Sequence, residues 1–337
     1  MNQKKPDPLQ FHADEIQADV SYEGDAAKIT PMGLVMKRFL RNKLAISGLV
    51  ILGAMILFSI FGPMFSPYGE YQMFFSQNGQ EILDAKADTS KMEGVSIFNK
   101  QPPSARHLLG TDKDGMDIMT RLMHGGRISL LIGFVVMAIE LIIGVILGGL
   151  AGFFGKWVDM AIMRVVEVFF CIPTIPVLLI IGSILATLKV PQQSKIFYLM
   201  LAFGFLGWAG VARMVRGQIL SLREQEYMVA TEAVGLTTRQ KIFRHLIPNV
   251  MPQLIVITTL GIGDAILMES ALSFLGMGVP HPYASWGKIV QMVNDPVVMT
   301  NYPFMWVPAG VLICLTVLAF NFVGDGLRDA FDPKMKR

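Results

Sequence analysis

The chain has 337 residues, of which 53% are hydrophobic and 16% are charged. Its apolar residues fall in runs of about twenty, the length that crosses a bilayer, and this excludes an ordinary soluble domain. The net charge of +3 is spread over loops and tails, so nucleic-acid binding has no support. Cys171 and Cys314 both fall inside apolar runs, where we expect small buried hydrophobic residues rather than a disulfide or metal ligands.

The N-terminal part of the chain predicts a cytosolic tail followed by a membrane span. Residues 1–30 are polar and contain no apolar segment that could form a cleavable signal, so residues 1–43 are assigned to the tail. A basic cluster, 37–43, precedes an apolar run that ends at Gly62 and Pro63. The run predicts a first transmembrane helix over 44–65, with its N-terminus inside.

Residues 66–128 are predicted to form a long external loop of mixed charge, since loops of this length cross the membrane largely regardless of their charge. Its second half begins at Arg106 and is dense in glycine and aspartate before it becomes helical. Such residues make turns and cap helices, so a folded external cap is favoured, with substrate contact as the alternative. The residues of this external motif are Gly110, Thr111, Asp112, Gly115, Asp117, Arg121 and Arg127.

Five further spans are predicted, at about 129–153, 165–188, 196–212, 251–275 and 304–323. Together with the first they make an all-α polytopic membrane protein of six transmembrane helices, with both termini on one side. Lysine and arginine concentrate in the loop between the fourth and fifth spans and at the C-terminus, which places that side in the cytoplasm of a cell-membrane protein. Residues 129–324 are therefore assigned to a five-helix core and residues 325–337 to a cytosolic tail.

The polar insert at 216–250 separates two strongly apolar segments and is predicted to be a cytosolic docking surface. Its spacing suits two short helices that are joined by a turn at Gly235 and stopped by Pro248. The alternative is a solvated loop that only connects two spans.

Four acidic residues, Glu140, Glu167, Asp264 and Glu269, lie in or near apolar runs, where an ionised carboxylate is costly unless it is paired or hydrated. Glu167 lies three residues after Arg164, which predicts a structural ion pair. Glu140 shares a helical face with Gly144, Gly148 and Gly152, a pattern that lets another helix approach closely, and we expect a partner subunit to complete this seam. Asp264 and Glu269 could line a translocation pathway or form structural pairs, and both interpretations stay open.

The sequence carries no nucleotide site and no catalytic constellation. Gly155-Lys156 lacks the upstream glycine of a phosphate-binding loop, and the five histidines form no metalloprotease motif. A membrane-embedded enzyme therefore has no support. We expect a transport subunit that catalyses no reaction and binds no cofactor or metal, while a secondary carrier would show internal repeats and interrupted helices.

Several blocks of sequence carry a resemblance to a known family. They are the LGTD stretch at 109–130, the loop that ends at Asn249, the ESALSFLGMGV stretch followed by Ser285-Trp286-Gly287, and the segment at 320–333. In these blocks, which span roughly 39–333, the chain resembles the second permease subunit of oligopeptide and dipeptide ABC importers, the OppC/DppC type. The resemblance implies the type I importer permease fold and oligopeptides or dipeptides as the default cargo, with nickel or another small solute as the alternative.

The resemblance also implies partners and a coupling loop. The partners are a homologous permease that completes a heterodimer, two ABC ATPase subunits that use ATP and Mg, and an extracellular solute-binding protein. The family's first loop glutamate is absent, because this chain has Val229-Ala230-Thr231 there, and Glu226 or Glu232 is the candidate replacement. The implied coupling-loop residues are Glu226, Ala230, Glu232, Ala233, Gly235, Arg244, His245 and Pro248.

Overall fold

The computed structural model describes residues 31–77, 80–82 and 94–331, so the predictions for 1–30 and 332–337 lie outside the described residues. The described chain is almost entirely helical. Its α-helices are α1 (Pro31–Phe39), α2 (Lys43–Ile60), α3 (Gly62–Phe65), α4 (Ile118–Phe154), α5 (Lys156–Cys171), α6 (Thr174–Thr187), α7 (Gln192–Arg223), α8 (Glu226–Ala233), α9 (Thr238–Gln240), α10 (Ile247–Phe274), α11 (Trp286–Val290), α12 (Pro296–Asn301) and α13 (Val307–Phe331).

Within the described part of the chain, five helices are long and apolar enough to cross a membrane: α2, α4, α7, α10 and α13. A sixth span is formed if α5 and α6, a bent pair, cross together. The fold class predicted from the sequence, an all-α polytopic membrane protein, is confirmed.

Asn42 caps the N-terminus of α2, the first of these helices, because its side chain accepts the N–H groups of Leu44 and Ala45 at 3.1 and 3.3 Å.

The prediction of one continuous third span over 165–188 is wrong. The helix begins earlier, at Lys156, and breaks after Cys171, where α5 and α6 meet at 77°. Pro173 explains the break, because proline lacks an N–H and forces the residue before it into an extended conformation. Ile172 is extended accordingly, with φ −79° and ψ 120°.

The predicted helix ends also differ from the observed ones. α4 begins at Ile118, α7 continues to Arg223 and α13 continues to Phe331, so residues 325–331 of the predicted tail are helical. α2 ends at Ile60, and the short α3 completes the predicted first span. The hydropathy of a run marks only the part of a helix that lies in the membrane core, whereas the hydrogen-bonded helix continues into its polar turns.

α4 lies at the centre of the bundle and contacts α2, α7 and α10, while α13 packs on α2 and α10. Leu122, Met137, Ile219, Ile266 and Phe320 belong to the large buried cluster that joins these helices. The outer faces stay apolar and exposed, as a lipid or partner contact requires. The two free cysteines lie on such faces, so the expectation that Cys171 and Cys314 are buried is wrong.

The small-residue seam of α4 is filled by α7 of the same chain. A Cβ on Gly144 would lie 2.7 Å from Val211 Cγ1, one on Gly148 would lie 2.9 Å from Ala212 Cα, and one on Gly152 would lie 2.9 Å from Ile219 Cβ. The expectation that a partner subunit completes this seam is therefore wrong. A glycine ladder shows that some helix approaches closely, but the pattern does not identify that helix.

One end of the bundle carries a folded layer, the cap region, formed by residues 66–77, 80–82, 94–117 and 276–306. Strands β1 (Phe75–Gln77), β2 (Gln80–Glu81) and β3 (Val95–Ile97) form an antiparallel sheet in the order β2-β1-β3. Ser76 pairs with Glu81 on one side and with Ser96 on the other. Tyr71 meets Tyr283 at a ring distance of 5.8 Å, which joins the first part of this region to the last.

Candidate functional site

The polar insert lies at the opposite end of the bundle from the cap region. Gly235, with φ +75°, makes the predicted turn after α8, and Thr237 and Gln240 form a reciprocal cap on α9. A π-helical turn, Lys241–Leu246, then leads into α10. A Cβ on Gly235 would meet nothing within 4 Å, so the glycine is needed for its backbone conformation and not for space.

The prediction that Pro248 stops the second short helix is wrong. α10 begins at Ile247 and runs through Pro248 to Phe274. The reason is positional, because a proline in the first turn of a helix gives up an N–H that the helix does not use. The polar insert is therefore continuous with a membrane-spanning helix.

Three buried side chains hold the coupling loop, residues 224–246, against the bundle: Met228, Thr231 and Leu246. Glu226, Ala230, Ala233, Gly235 and Arg244 are exposed, Pro248 is exposed at the start of α10, and His245 is half-buried. Glu232 lies in α8 between them.

Sequence reasoning missed the apolar part of this loop's surface. Val229, Val234 and Phe243 expose 63%, 78% and 65% of their surface, and the exposed Arg244 follows Phe243 in the chain. The sequence does indicate these residues, since an apolar residue in a short polar insert has no membrane core to face. Exposed apolar side chains with a charged neighbour are typical of a protein contact surface.

An ion pair that the sequence did not reveal joins α5 to α7 at the same end. Arg216 Nε and Nη2 donate to Asp159 Oδ1 and Oδ2 at 2.5 and 2.6 Å. Two parallel bonds of this kind fix the relative orientation of the two helices. The pair therefore holds the first half of the broken span against the helix that enters the coupling loop.

The external motif builds a turn around a buried ion pair. Asp112 Oδ1 accepts the N–H groups of Asp114 and Met116 at 2.8 and 2.9 Å, and Oδ2 lies 3.3 Å from Arg121 Nε. Met116 Sδ accepts from Arg121 Nη1 at 2.6 Å. Burial raises the pKa of the Asp112 carboxyl, and the Arg121 charge and the N–H donors offset part of this rise.

Of the other residues of the motif, Asp117 caps α4 and the glycines form turns. Asp117 Oδ2 accepts the N–H and hydroxyl of Thr120, both at 2.8 Å, and so starts α4. Gly110 and Gly115 have φ +79° and +73°, and the buried Thr111 hydroxyl donates to the Phe98 carbonyl at 2.7 Å. The structure adds His107, which the sequence left unassigned, since its Nδ1 lies 2.9 Å from Asp117 Oδ1.

Arg127 binds the C-terminal end of α2. Its Nε and Nη2 donate to the carbonyls of Ser59 and Ile60 at 2.8 and 2.5 Å. These carbonyls belong to the last turn of α2, which has no partner of its own for them. The motif therefore joins the cap region to both α2 and α4.

Glu269 connects three parts of the fold. Its buried carboxylate accepts hydroxyls from Ser273 at 2.6 Å, Ser285 at 2.8 Å and Ser129 at 3.4 Å. Ser129 also accepts the N–H of Trp286 at 3.1 Å. This network ties α4 and α10 to the start of α11 in the cap region.

Two further intramembrane acids, Glu140 and Asp264, make no hydrogen bond to this network among the described residues. Glu140 packs against Gly207 of α7 and interacts electrostatically with Asp264, which is exposed on α10. In the described residues, no group of three histidine, cysteine or acidic side chains could hold a metal ion.

Residues 144–337 match the family model described as "binding-protein-dependent transport system inner membrane component". The chain belongs to this family. Residues 30–86 of this permease also match the model for the "N-terminal TM domain of oligopeptide transport permease C". These matches confirm the resemblance that the sequence blocks indicate.

The permease is also similar over almost its whole length to named relatives. It is 38% identical to the oligopeptide transport system permease protein OppC of Bacillus subtilis (strain 168), covering 93% of this chain and 95% of the relative. It is 36% identical to the dipeptide transport system permease protein DppC of Alkalihalophilus pseudofirmus, covering 93% of both chains. It is 34% identical to the oligopeptide transport system permease protein OppC of Haemophilus influenzae, covering 99% of this chain and 97% of the relative. The permease is thus a multi-pass cell-membrane transport subunit.

Proposed function

We propose that this permease is a subunit of an ATP-driven importer that takes up oligopeptides or dipeptides. The names of its relatives favour peptides over nickel or another small solute. Since the sequence carries no phosphate-binding loop, ATP and Mg are used by two ABC ATPase subunits. A solute-binding protein delivers the cargo to the outer side.

The coupling loop is the contact for an ATPase subunit. The observation that carries this assignment is its exposed apolar triplet, Val229, Val234 and Phe243, on a segment anchored by Met228 and Leu246. A surface of this kind can bury apolar area against a partner while its anchors transmit force. The direct continuation of the loop into α10 provides the path to the membrane.

The second permease packs on an outer face of the bundle, since α7 already fills the seam on α4. An open apolar groove of about 490 Å³ runs between α4 and α10, and Leu141, Val145, Leu254 and Ile255 are among its lining residues. Such a groove suits close contact with helices of a homologous subunit. The two permeases together enclose the translocation pathway as a heterodimer.

The coupling loop and both termini face the cytoplasm, and the cap region faces outward. The distribution of lysine and arginine supports this orientation. Arg213, Arg216, Arg223, Arg239 and Lys241 all lie near or within the coupling-loop end of the bundle. Lys189 and Lys195 are the minority on the cap side.

The test of coupling is Gly235→Pro in the reconstituted importer. Proline cannot adopt φ +75°, so the turn between α8 and α9 is redirected and ATP hydrolysis is uncoupled from uptake, while the protein still inserts. Uptake and ATPase activity are measured in the same vesicles. Gly94→Pro is the matched control, because Gly94 also has a positive φ and open space around it, but lies in the cap region. Normal uptake by inserted Gly235→Pro protein contradicts the proposal.

A further inference from the structure

The cap region contains a charged cavity of about 640 Å³ that no part of the coupling mechanism uses. It lies between the external motif and the segment from His281 to Met305, and we name it the cap cavity. Its charged lining residues are Lys113, Asp114, Arg121, His281, Lys288 and Asp295. The volume falls within the range of about 300–1,000 Å³ that is typical of small-molecule sites.

Lys113, Arg121 and Lys288 bring three cationic side chains to the lining of the cap cavity. In the described part of the chain, neither Lys113 nor Lys288 has a carboxylate within ion-pair distance. Arg121 is 3% exposed, and its Nε makes no hydrogen bond although Asp112 lies nearby. Burial and the charges of Lys113 and Arg121 lower the pKa of Lys288, and the charge of Asp114 offsets part of this fall. These groups are arranged for an anion that carries several acceptor atoms.

The rest of the cap cavity is not basic. Asp114 and Asp295 both line it, and Asp114 lies 3.8 Å from the ring of His281, which is exposed. Met292, Val298 and Met305 supply apolar surface. The cavity therefore offers cations, carboxylates and an apolar wall within one volume. A simple inorganic anion uses only the first of these, whereas a ligand with a carboxylate, an ammonium group and a short apolar body uses all three.

We propose that the cap cavity binds a short peptide with free termini, its carboxylate held by Lys113, Arg121 and Lys288 and its ammonium group by Asp114 and Asp295. The site holds peptide on the cap side before the membrane is crossed. This proposal rests on the proposed function, because peptide must be the cargo for a holding site to matter.

The binding test uses the purified importer in nanodiscs, without the solute-binding protein and without ATP. The probes are trialanine and its C-terminal amide, and saturation-transfer NMR titration measures their dissociation constants. We expect the amide to bind about tenfold more weakly, since it loses charge-assisted hydrogen bonds. Lys113→Gln with Lys288→Gln weakens trialanine binding by a similar factor and reduces the preference over the amide to what Arg121 alone supports.

Lys189→Gln is the matched control, because it removes a lysine on the same side of the protein that does not line the cap cavity. We expect it to bind both probes as the unmodified importer does. A thermal unfolding curve for each variant shows that the fold is retained. Lys288→Arg should keep the preference for the free carboxylate.

Equal affinity for the two probes overturns the proposal, and so does unchanged binding in the Lys113→Gln, Lys288→Gln double variant. Binding of inorganic phosphate in place of trialanine also overturns it. ATP-dependent uptake of trialanine with the solute-binding protein present is measured separately. Uptake without cavity binding refutes this inference alone, whereas cavity binding without uptake refutes the proposed function and leaves the site in place.

Discussion

The packing of α4 on α7 makes a sharp prediction about two adjacent glycines. Gly148 faces the backbone of Ala212, and a Cβ added there would lie 2.9 Å from Ala212 Cα and 3.0 Å from its carbonyl carbon. Gly149 faces away, and the nearest atom to an added Cβ is Ile219 Cδ1 at 3.8 Å. The substitutions Gly148→Ala and Gly149→Ala therefore add the same methyl group to the same helix in different surroundings.

The magnitude follows from two opposing effects. Alanine stabilises a helix by about 0.5–1 kcal/mol relative to glycine, and both variants gain this. Only Gly148→Ala must push two backbones apart, and overpacking of this kind costs about 1–3 kcal/mol. We expect the free energy of unfolding of the two variants to differ by about 1–3 kcal/mol, with Gly148→Ala the less stable.

The assay is thermal unfolding of the subunit in detergent, expressed alone, followed by tryptophan fluorescence. The shift in Tm per kcal/mol falls with chain length, so for this chain we expect a difference of about 1–4 °C. Because the seam lies within one chain, the difference should persist without any partner. Equal Tm values for the two variants, or a difference that appears only when the homologous permease is present, would refute the intrachain packing.

Three further predictions concern the buried acids and the orientation. Glu269→Ala should lower thermal stability by about 1–3 kcal/mol more than Glu269→Gln, because the amide oxygen can still accept serine hydroxyls, and equal Tm values contradict the network. Asp112→Ala should cost about 1–3 kcal/mol more than Asp112→Asn, since asparagine keeps an acceptor for two N–H groups; the same unfolding assay measures it, and equal losses count against the turn. Single cysteines are placed at Lys113 or at Thr238 in a background without the two exposed natural cysteines. An impermeant maleimide should label position 113 from outside, and position 238 only after permeabilisation. Labelling at 238 in intact cells reverses the proposed orientation.

Much of the fold could be predicted from the sequence because each sequence signal depends only on residues that are close together in the chain. The length of an apolar run reports whether one segment can span the bilayer, and five of the six predicted runs coincide with unbroken helices of spanning length. Turn chemistry is local too, and Gly110, Gly115 and Gly235 all adopt the positive φ that their contexts suggest. The break before Pro173 was also readable, but averaging hydropathy over a long window conceals a single residue that ends a helix.

The failures that concern packing share one physical cause, which is that a sequence shows what a residue needs and not which neighbour supplies it. Gly144 and Gly148 require a close helix, and only the packed bundle identifies α7 as that helix. Glu269 requires hydrogen-bond donors, and they come from Ser129 and Ser285, far away in the chain. Cys171 and Cys314 are apolar in context, but the bundle decides which side of each helix faces outward.

The cap cavity shows most clearly which features the sequence determines and which require the tertiary structure. Composition, run lengths and motif order by themselves determined that this chain is a polytopic permease, because bilayer thickness and helix geometry act on each segment separately. The joining of residues 113–121 to residues 281–305 was decided only by tertiary packing. The charges of a site add up in space, and the spatial distance between two loops depends on how the helices between them pack and not on their separation along the chain.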